Sequence, residues 1–300
     1  MRQCDDFASA GSSSTVPRPD RALTTSRVLV RALILSCFHD VASAKHFQVL
    51  AVVMAVCVPT LAAAQGPPSS DHVNESNNPL TQKVTCNLQN LYVMSYFDRP
   101  DINSNAFLLR GILPHKFLGP TQLFRATLPI NTSTDNLTGL GDFNLIDLFL
   151  YRFNRVEFGT GPQFTVPSEV LGTGKWQAGV AEYAVVPEEW GLLAALVTWQ
   201  HSFAGNESRS TTNVLEAQPI ITYHFKRGIY VRTTATWNFD FEHDTYFIPL
   251  SLGLGKVWVV RSGATLNLFA EPQITAFYEG SVPHWQIWSG LNMQFPTGKH

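Results

Sequence analysis

The residues best suited to catalysis in this chain are a serine and a histidine on two successive alternating segments. Ser202 and His224 both fall on the polar face of their segments, and a serine beside a histidine is the arrangement of a hydrolase nucleophile and its base. If the connecting loop closes so that Ser202 lies opposite Glu216, His224 lies opposite Ala194. That is about 8 residues from Ser202, or roughly 26 Å at about 3.3 Å per residue. We therefore expect no Ser–His pair.

Other candidate chemistry rests on acidic turns and on two more histidines. The runs 187–189 (Pro-Glu-Glu) and 242–244 (Glu-His-Asp) carry possible metal ligands, but neither has the spacing of a known metal motif. His201 points away from Ser202, on the other face of its segment, and no motif supports His201 or His243 as a catalytic group. The sequence predicts a protein that is not an enzyme, with no cofactor and no metal site.

Composition excludes several classes of protein. The chain has 300 residues, of which 45% are hydrophobic and 12% aromatic, so it is not a disordered chain. Its pI near 6.5 and formal net charge of −2 argue against a nucleic-acid partner. Only residues 47–64 approach the roughly 20 apolar residues of a membrane-spanning helix, which excludes a protein with several such helices.

The N-terminal part has the pattern of an export signal. Lys45 and His46 precede an apolar run, 47–61, which ends in Ala62-Ala63-Ala64, and this order is typical of a secretory signal peptide. We predict a signal peptide over 45–64, cleaved near Ala64, an upstream extension over 1–44, and a periplasmic N-terminal segment over 65–82. An uncleaved anchor is the alternative, but Pro59 and the small residues after it disfavour it.

Cleavage there would leave Cys86 as the one cysteine of the mature chain. An intramolecular disulfide and a cysteine-based zinc site are then impossible. A stretch of residues 78–83 ahead of the first predicted strand is too short to plug a barrel by itself.

The mature chain alternates between apolar and polar residues almost throughout, which predicts β-strands with one apolar face each. Between Gly228 and Phe241, for example, the odd positions are mostly apolar and the even positions mostly polar. Many of these segments run for about 10 to 14 residues, the length that a tilted strand needs to cross a bilayer. Twelve segments are predicted: 83–97, 105–115, 122–130, 142–150, 155–164, 175–186, 190–204, 214–225, 229–240, 245–259, 264–277 and 284–295.

The connections between these segments largely alternate between long and short. Aromatic residues also cluster where the apolar faces end, as Trp199 with Phe203 and Tyr223 with Phe225. Both features are typical of outer-membrane barrels, whereas a soluble β-sandwich, the alternative, predicts neither. The expected fold is all-β: a transmembrane antiparallel up-and-down barrel of about 12 strands over residues 83–296.

Several short motifs resemble those of one bacterial family. They are Gly159–Ser168 (GTGPQFTVPS), Leu171–Gln177 (LGTGKWQ), Trp199–Gly205 (WQHSFAG), Gln218–Tyr223 (QPIITY), Ile248–Val257 (IPLSLGLGKV), Gly141–Asn144 (GDFN) and Trp285–Phe295 (WQIWSGLNMQF). The chain resembles outer-membrane proteins labelled "transporter" or "neuromedin U" and is similar to the phenol meta-pathway barrel proteins. The resemblance runs from about Asn78 to Phe295, and it implies a barrel that passes small molecules. The chain continues for five residues past Phe295, where many barrel proteins stop at a terminal aromatic residue.

Charged residues on the inward face are the candidate site. They are Arg110, Arg125, Glu216, Arg232, Asp240 and Glu271. Mixed charges inside a barrel tune the selectivity of a pore, or they pair with one another as a structural network, and the sequence leaves both readings open. It also leaves open whether Gly253 and Gly255, on one face with Ser251, serve strand coiling or an occupant of the lumen.

From these observations we predict a bacterial outer-membrane channel, or a transporter-like barrel, for the passive passage of small molecules, hydrophobic or aromatic ones included. No GxxxxGK[ST] loop is present to supply nucleotide energy. The expected partners are outer-membrane lipid, the small-molecule solute and the outer-membrane assembly machinery. A lipid-acting hydrolase and a structural barrel without transport are the alternatives.

Overall fold

A computed structural model describes residues 68–296, and most of this range is β-strand. The predicted extension (1–44) and signal peptide (45–64) lie outside the described residues. A helix, α1 (Ser70–Asn77), precedes the strands. The strands are β1 (Val84–Tyr96), β2 (Ser104–His115), β3 (Gln122–Thr132), β4 (Thr138–Leu140), β5 (Phe143–Phe153), β6 (Val156–Val166), β7 (Lys175–Glu188), β8 (Gly191–Gly205), β9 (Asn213–His224), β10 (Ile229–Thr233), β11 (Trp237–Asp240), β12 (Thr245–Ser251), β13 (Gly253–Val259), β14 (Thr265–Glu279) and β15 (Pro283–Phe295).

These strands close into one antiparallel barrel. We call each stretch of chain that crosses the barrel wall from one end to the other a span. Each span pairs with its sequence neighbours, and β1 pairs with β15 to close the wall. Two spans are interrupted, so that β10 and β11 form the ninth and β12 and β13 form the tenth, while β4 is a short addition beside β3. The result is a closed barrel of twelve strands, and the fold predicted from the sequence is confirmed.

Side chains alternate between lumen and outer wall as the period of two predicts. Along β8, Leu192, Leu196 and Thr198 are buried in the lumen, and Val197 and Trp199 are exposed on the wall. In the part of the chain that the structure describes, no helix combines the length and the hydrophobicity needed to span a bilayer.

Aromatic side chains gather at both ends of the outer wall. Phe164 lies 5.7 Å from Trp176 and 6.1 Å from Phe203, measured between ring centroids, near the long loops. Tyr223 lies 6.1 Å from Trp190 and 5.2 Å from Phe225 near the short turns. Such belts are where a barrel meets the two interfaces of a membrane.

The ninth span is interrupted where side chains take over the hydrogen bonds of its backbone. The backbone N–H of Thr234 donates to Oε1 of Glu271 at 2.7 Å, and the Gln218 amide donates to the Thr234 carbonyl at 2.7 Å. Ladder pairing between β9 and its neighbour therefore stops after Thr233 and resumes at Trp237. This is why the predicted single strand 229–240 is two strands.

A half-buried aspartate fixes the loop that follows β6. The Asp142 carboxylate accepts hydrogen bonds from the backbone N–H groups of Ser168 (2.7 Å) and Thr173 (2.9 Å) and from the Thr173 hydroxyl (2.6 Å). It also leaves no room for a side chain at Gly172, where a Cβ would lie 1.9 Å from its Oδ1. The GDFN and LGTG motifs are thus two halves of one loop anchor.

We expect Asp142→Ala to release this loop without unfolding the barrel. Hydrogen bonds to a charged group contribute about 1.5–3 kcal/mol each, so cleavage at Glu169 by a glutamate-specific protease should accelerate by about tenfold or more. Asp135→Ala, in the neighbouring exposed loop, is the control. Equal cleavage rates for Asp142→Ala and the wild type would contradict the anchor.

Candidate functional site

The lumen is narrowed at one end by the chain that precedes β1. We call the end of the barrel with the β5–β6, β7–β8, β9–β10 and β13–β14 connections the short-turn end, and residues 68–83 the plug segment. Within the plug segment, Val73 is only 2% exposed and packs against the lumen-facing side chains of Tyr230, Val257 and Phe269. Helix α1 therefore lies inside the mouth of the barrel.

A second apolar anchor of the plug segment is Leu80. It is 3% exposed and joins a cluster of lumen-facing side chains that includes Ile146, Leu148 and Tyr183. Gly159 leaves the space that the Leu80 side chain occupies, because a Cβ there would lie 2.7 Å from Cδ2 of Leu80. The first glycine of the GTGPQF motif is thus required by the plug segment.

Polar contacts hold the helix against the wall. Nδ2 of Asn267 donates to the carbonyl of Ser76 at 3.2 Å, and the hydroxyl of Tyr230 donates to Oδ1 of Asn267 at 2.6 Å. Gln294 donates to the carbonyl of Glu75 at 3.0 Å, so β14 and β15 bind the plug segment through side-chain amides, and the Tyr230 phenol holds the Asn267 amide in place.

Helix α1 was not among the elements predicted from the sequence. Residues 78–83 alone were expected to be too short to plug the lumen, and in the structure they act together with the helix that precedes them. The sequence feature that could have indicated this helix is its N-terminus, where a serine at the N-cap is followed by an acidic residue in the first turn, Asp71. In the structure, Ser69 accepts a hydrogen bond from the backbone N–H of His72.

Beyond the plug segment the lumen holds a cavity of about 450 Å³. Its wall is mixed in character, with charged and amide groups beside aliphatic and aromatic ones. The residues that line it include Asn87, Gln89, Leu108, Arg110, Ile112, Arg125, Gln163, Tyr183, Leu196, Glu216, Gln218, Ile220, Arg232, Gln273, Gln286 and Trp288. A cavity of this size and mixed lining suits a small organic molecule.

Two of the predicted site residues pair with each other as a structural unit. Nε of Arg232 lies 2.7 Å from Oε2 of Glu271, whose side chain is fully buried. Thr234 and Ser251 also donate hydrogen bonds to this carboxylate, and the Arg232 guanidinium lies 4.1 Å from the ring centroid of Phe269. Of the two alternatives that the sequence leaves open for the inward charges, mutual pairing as a structural network therefore describes Arg232 and Glu271.

Gly253 makes the Arg232–Glu271 contact possible. Arg232 lies opposite Gly253 in the register, and a Cβ at Gly253 would lie 2.7 Å from Cβ of Glu271. Two residues along the same strand, the ring of Tyr230 covers Gly255, where a Cβ would lie 2.1 Å from Cζ of that ring. Both glycines thus make room for occupants of the lumen.

Three other predicted residues, Arg110, Arg125 and Glu216, line the cavity. Arg110 donates to the Thr127 hydroxyl at 3.1 Å, and the Arg125 guanidinium lies 5.5 Å from the ring centroid of Tyr183. Among residues 68–296, none of the three forms an ion pair with an oppositely charged group.

The sixth predicted residue, Asp240, serves a turn. Its carboxylate accepts hydrogen bonds from the backbone N–H groups of Glu242 (2.9 Å) and His243 (3.2 Å) and contacts Nδ1 of His243 at 2.8 Å. It lies beyond the group of residues that line the cavity.

The structure keeps Ser202 and His224 far apart. Glu216 pairs with Thr198, four residues from the Ser202 partner assumed in the sequence analysis, so that assumed register is wrong. The backbone of Ser202 bonds to Thr212 and that of His224 to Trp190, which separates them by about 12 residues, or roughly 40 Å. Within residues 68–296, no cluster of three or more His, Cys, Asp or Glu could hold a metal ion.

Comparison with known proteins finds the same architecture. No family model matches the chain, and no curated protein matches it by sequence. An outer-membrane channel from Pseudomonas putida F1 superposes with a TM-score of 0.51 and 14% identity, over 73% of this chain and 99% of that one. The KdgM porin in complex with disordered oligogalacturonate gives a TM-score of 0.43 and 12% identity over 71% of this chain and 100% of that one. The fold of this chain is therefore that of the outer-membrane barrels.

Proposed function

We propose that the chain is an outer-membrane channel that passes small molecules, those with an apolar or aromatic body included, down their concentration gradient. The observation that carries the proposal is the cavity of about 450 Å³, with a wall that is partly aliphatic and partly charged or amide-bearing. The plug segment makes the passage narrow at the short-turn end, which we assign to the periplasmic side.

Location and assembly belong to the same proposal. The aromatic belts at both ends of the wall and the signal-peptide pattern of residues 45–64 support insertion into the outer membrane by its assembly machinery. The motif resemblance supports membership of the "transporter" or "neuromedin U" family. Passive transport, rather than catalysis, is favoured by the distance between Ser202 and His224.

Filling the cavity should slow the passage of solute. We expect Leu108→Trp, on the lumen side of β2, to reduce the rate at which proteoliposomes swell in nicotinamide severalfold, because the indole occupies part of the cavity. Leu109→Trp, the next residue and so on the lipid-facing side, is the matched control. Wild-type proteoliposomes should swell in nicotinamide and not in the larger sugar raffinose.

Two results would overturn this proposal. The first is wild-type swelling in nicotinamide no faster than that of protein-free liposomes, which would favour a structural barrel without transport. The second is equal slowing by Leu108→Trp and Leu109→Trp, which would place the passage outside the cavity.

A further inference from the structure

Arg110 and Arg125 form a pair of neighbouring cations on one wall of the cavity. Arg110 lies opposite Thr127 in the β2–β3 register, and Arg125 is two residues from Thr127 on the same face. Diagonal neighbours of this kind are separated by about 7–8 Å. Two arginines whose backbones lie this far apart can both reach one small anion with their long side chains.

The pair lacks the partners that buried arginines ordinarily have. Nε of Arg125 is buried and has no hydrogen-bond partner among residues 68–296, and its guanidinium lies 5.5 Å from the ring centroid of Tyr183. By contrast, Arg232 in the same lumen has a carboxylate at 2.7 Å. A buried donor without a partner costs free energy that a ligand can recover.

The facing charge is a single carboxylate on the far wall. Glu216 lies on β9, which is five strands from β3 around a wall of twelve. Apart from Arg232, whose charge is paired with Glu271, two positive charges therefore face one negative charge across the cavity. This arrangement favours one additional monovalent anion, and a guanidinium fork matches a carboxylate through two parallel hydrogen bonds.

The surroundings of the pair define the rest of the ligand. Leu108 and Ile112 flank Arg110 on β2, and Leu196 and Ile220 line the cavity as well. An anion with a fully polar body would leave these aliphatic groups without a partner. An apolar or aromatic body attached to the carboxylate would cover them.

We propose that Arg110 and Arg125 form a binding subsite for the carboxylate of an amphipathic organic acid whose apolar or aromatic body contacts the aliphatic part of the cavity. This inference rests on the proposed function and specifies the class of solute. Glu216 lowers the affinity for such an anion and keeps the empty lumen near neutrality.

The test is direct binding of benzoate to the full mature protein in detergent, by isothermal titration at pH 7.5 and low salt. Benzamide, which has the same shape without the charge, is the paired probe. Arg125→Gln and Arg110→Gln should each raise the Kd for benzoate at least tenfold and leave the Kd for benzamide within twofold. Glu216→Gln should lower the Kd for benzoate severalfold, and Arg152→Gln, at the exposed end of β5, should change neither.

The arginine variants should raise the Kd for benzoate and the Glu216 variant should lower it. Damage to the fold would weaken binding in every variant, so these opposite changes distinguish a loss of charge from a loss of structure. If an arginine variant fails to show a heat-modifiable barrel, Arg125→Lys and Glu216→Gln carry the test, because both keep a polar side chain of similar size. Equal affinity of the wild type for benzoate and benzamide would overturn the inference. So would a Kd for benzoate that Glu216→Gln leaves unchanged or raises. Benzoate binding in detergent does not require the protein to conduct, and the uncharged nicotinamide does not require the arginines. The binding experiment and the swelling experiment can therefore fail independently, and each failure identifies the proposal that is wrong.

Discussion

Removal of residues 65–82, so that the mature chain begins at Lys83, is expected to raise the single-channel conductance severalfold. The plug segment places Val73 and Leu80 in the lumen, each 3% exposed or less, and fills the short-turn end. Without it, Tyr230, Phe269 and Gly159 face an empty mouth, and the narrowest part of the passage widens. Recordings in planar bilayers at fixed salt measure the change.

A second variant tests the position that Leu80 occupies in the lumen without shortening the chain. Gly159→Leu places a side chain where Leu80 lies, because even a Cβ would be 2.7 Å from Cδ2 of Leu80. We expect this variant to displace the plug segment and raise the conductance in the same direction. Gly111→Leu, at a glycine where a Cβ meets nothing within 4 Å, is the matched control. Unchanged conductance in both the shortened chain and Gly159→Leu would contradict the narrowing of the passage by the plug segment.

Glu271→Ala is expected to cause the largest loss of stability of any single substitution considered. It leaves the Arg232 guanidinium buried without its carboxylate, and breaking a buried pair in this way costs about 3–5 kcal/mol. It also removes the acceptor of the Thr234 backbone N–H at the break in the ninth span. The free energy of unfolding in urea, measured on protein refolded into vesicles, should fall by that amount.

Two comparisons isolate the pair. Glu279→Ala, at the exposed end of the same strand, should change the free energy of unfolding by no more than about 0.5 kcal/mol. The double variant Arg232→Met with Glu271→Leu removes both charges and should recover part of the loss, since replacing a buried pair by apolar groups is often neutral. A loss below about 1 kcal/mol for Glu271→Ala would show that the pair does not support the wall.

The strands of this barrel could be predicted closely because lipid and lumen impose opposite demands on alternate residues. The predicted segments 175–186 and 245–259 correspond to β7 and to β12 with β13. Breaks within a span were not predictable. They depend on Glu271 and Gln218 reaching the backbone near Thr234, which is a contact between spans rather than a local pattern.

The register of the β8–β9 hairpin shows a different limit. Glu216 pairs with Thr198, whereas the sequence analysis placed it opposite Ser202. A shift by an even number of residues keeps every side chain on its face, so the alternation carries no information about it. Only the conformation of the loop between the strands decides among such registers.

The candidate site divides in a way that side-chain type alone could not show. All six charged residues have the inward parity, yet Arg232 pairs with Glu271, Asp240 binds a turn, and Arg110, Arg125 and Glu216 line the cavity without an ion-pair partner among the described residues. The Arg232–Glu271 pair differs from the other inward charges in the space left by Gly253, which lets these two side chains meet across a strand. A glycine on the inward face beside a charge is the local signal for such a pair.

The central claim, that this barrel is a passive channel, is tested most directly by single-channel recording of residues 65–300, refolded and shown to be heat-modifiable, in a planar bilayer. We expect discrete steps with a linear current–voltage relation, small for the intact chain and larger for the chain that begins at Lys83. Electrical silence of both folded proteins would contradict it.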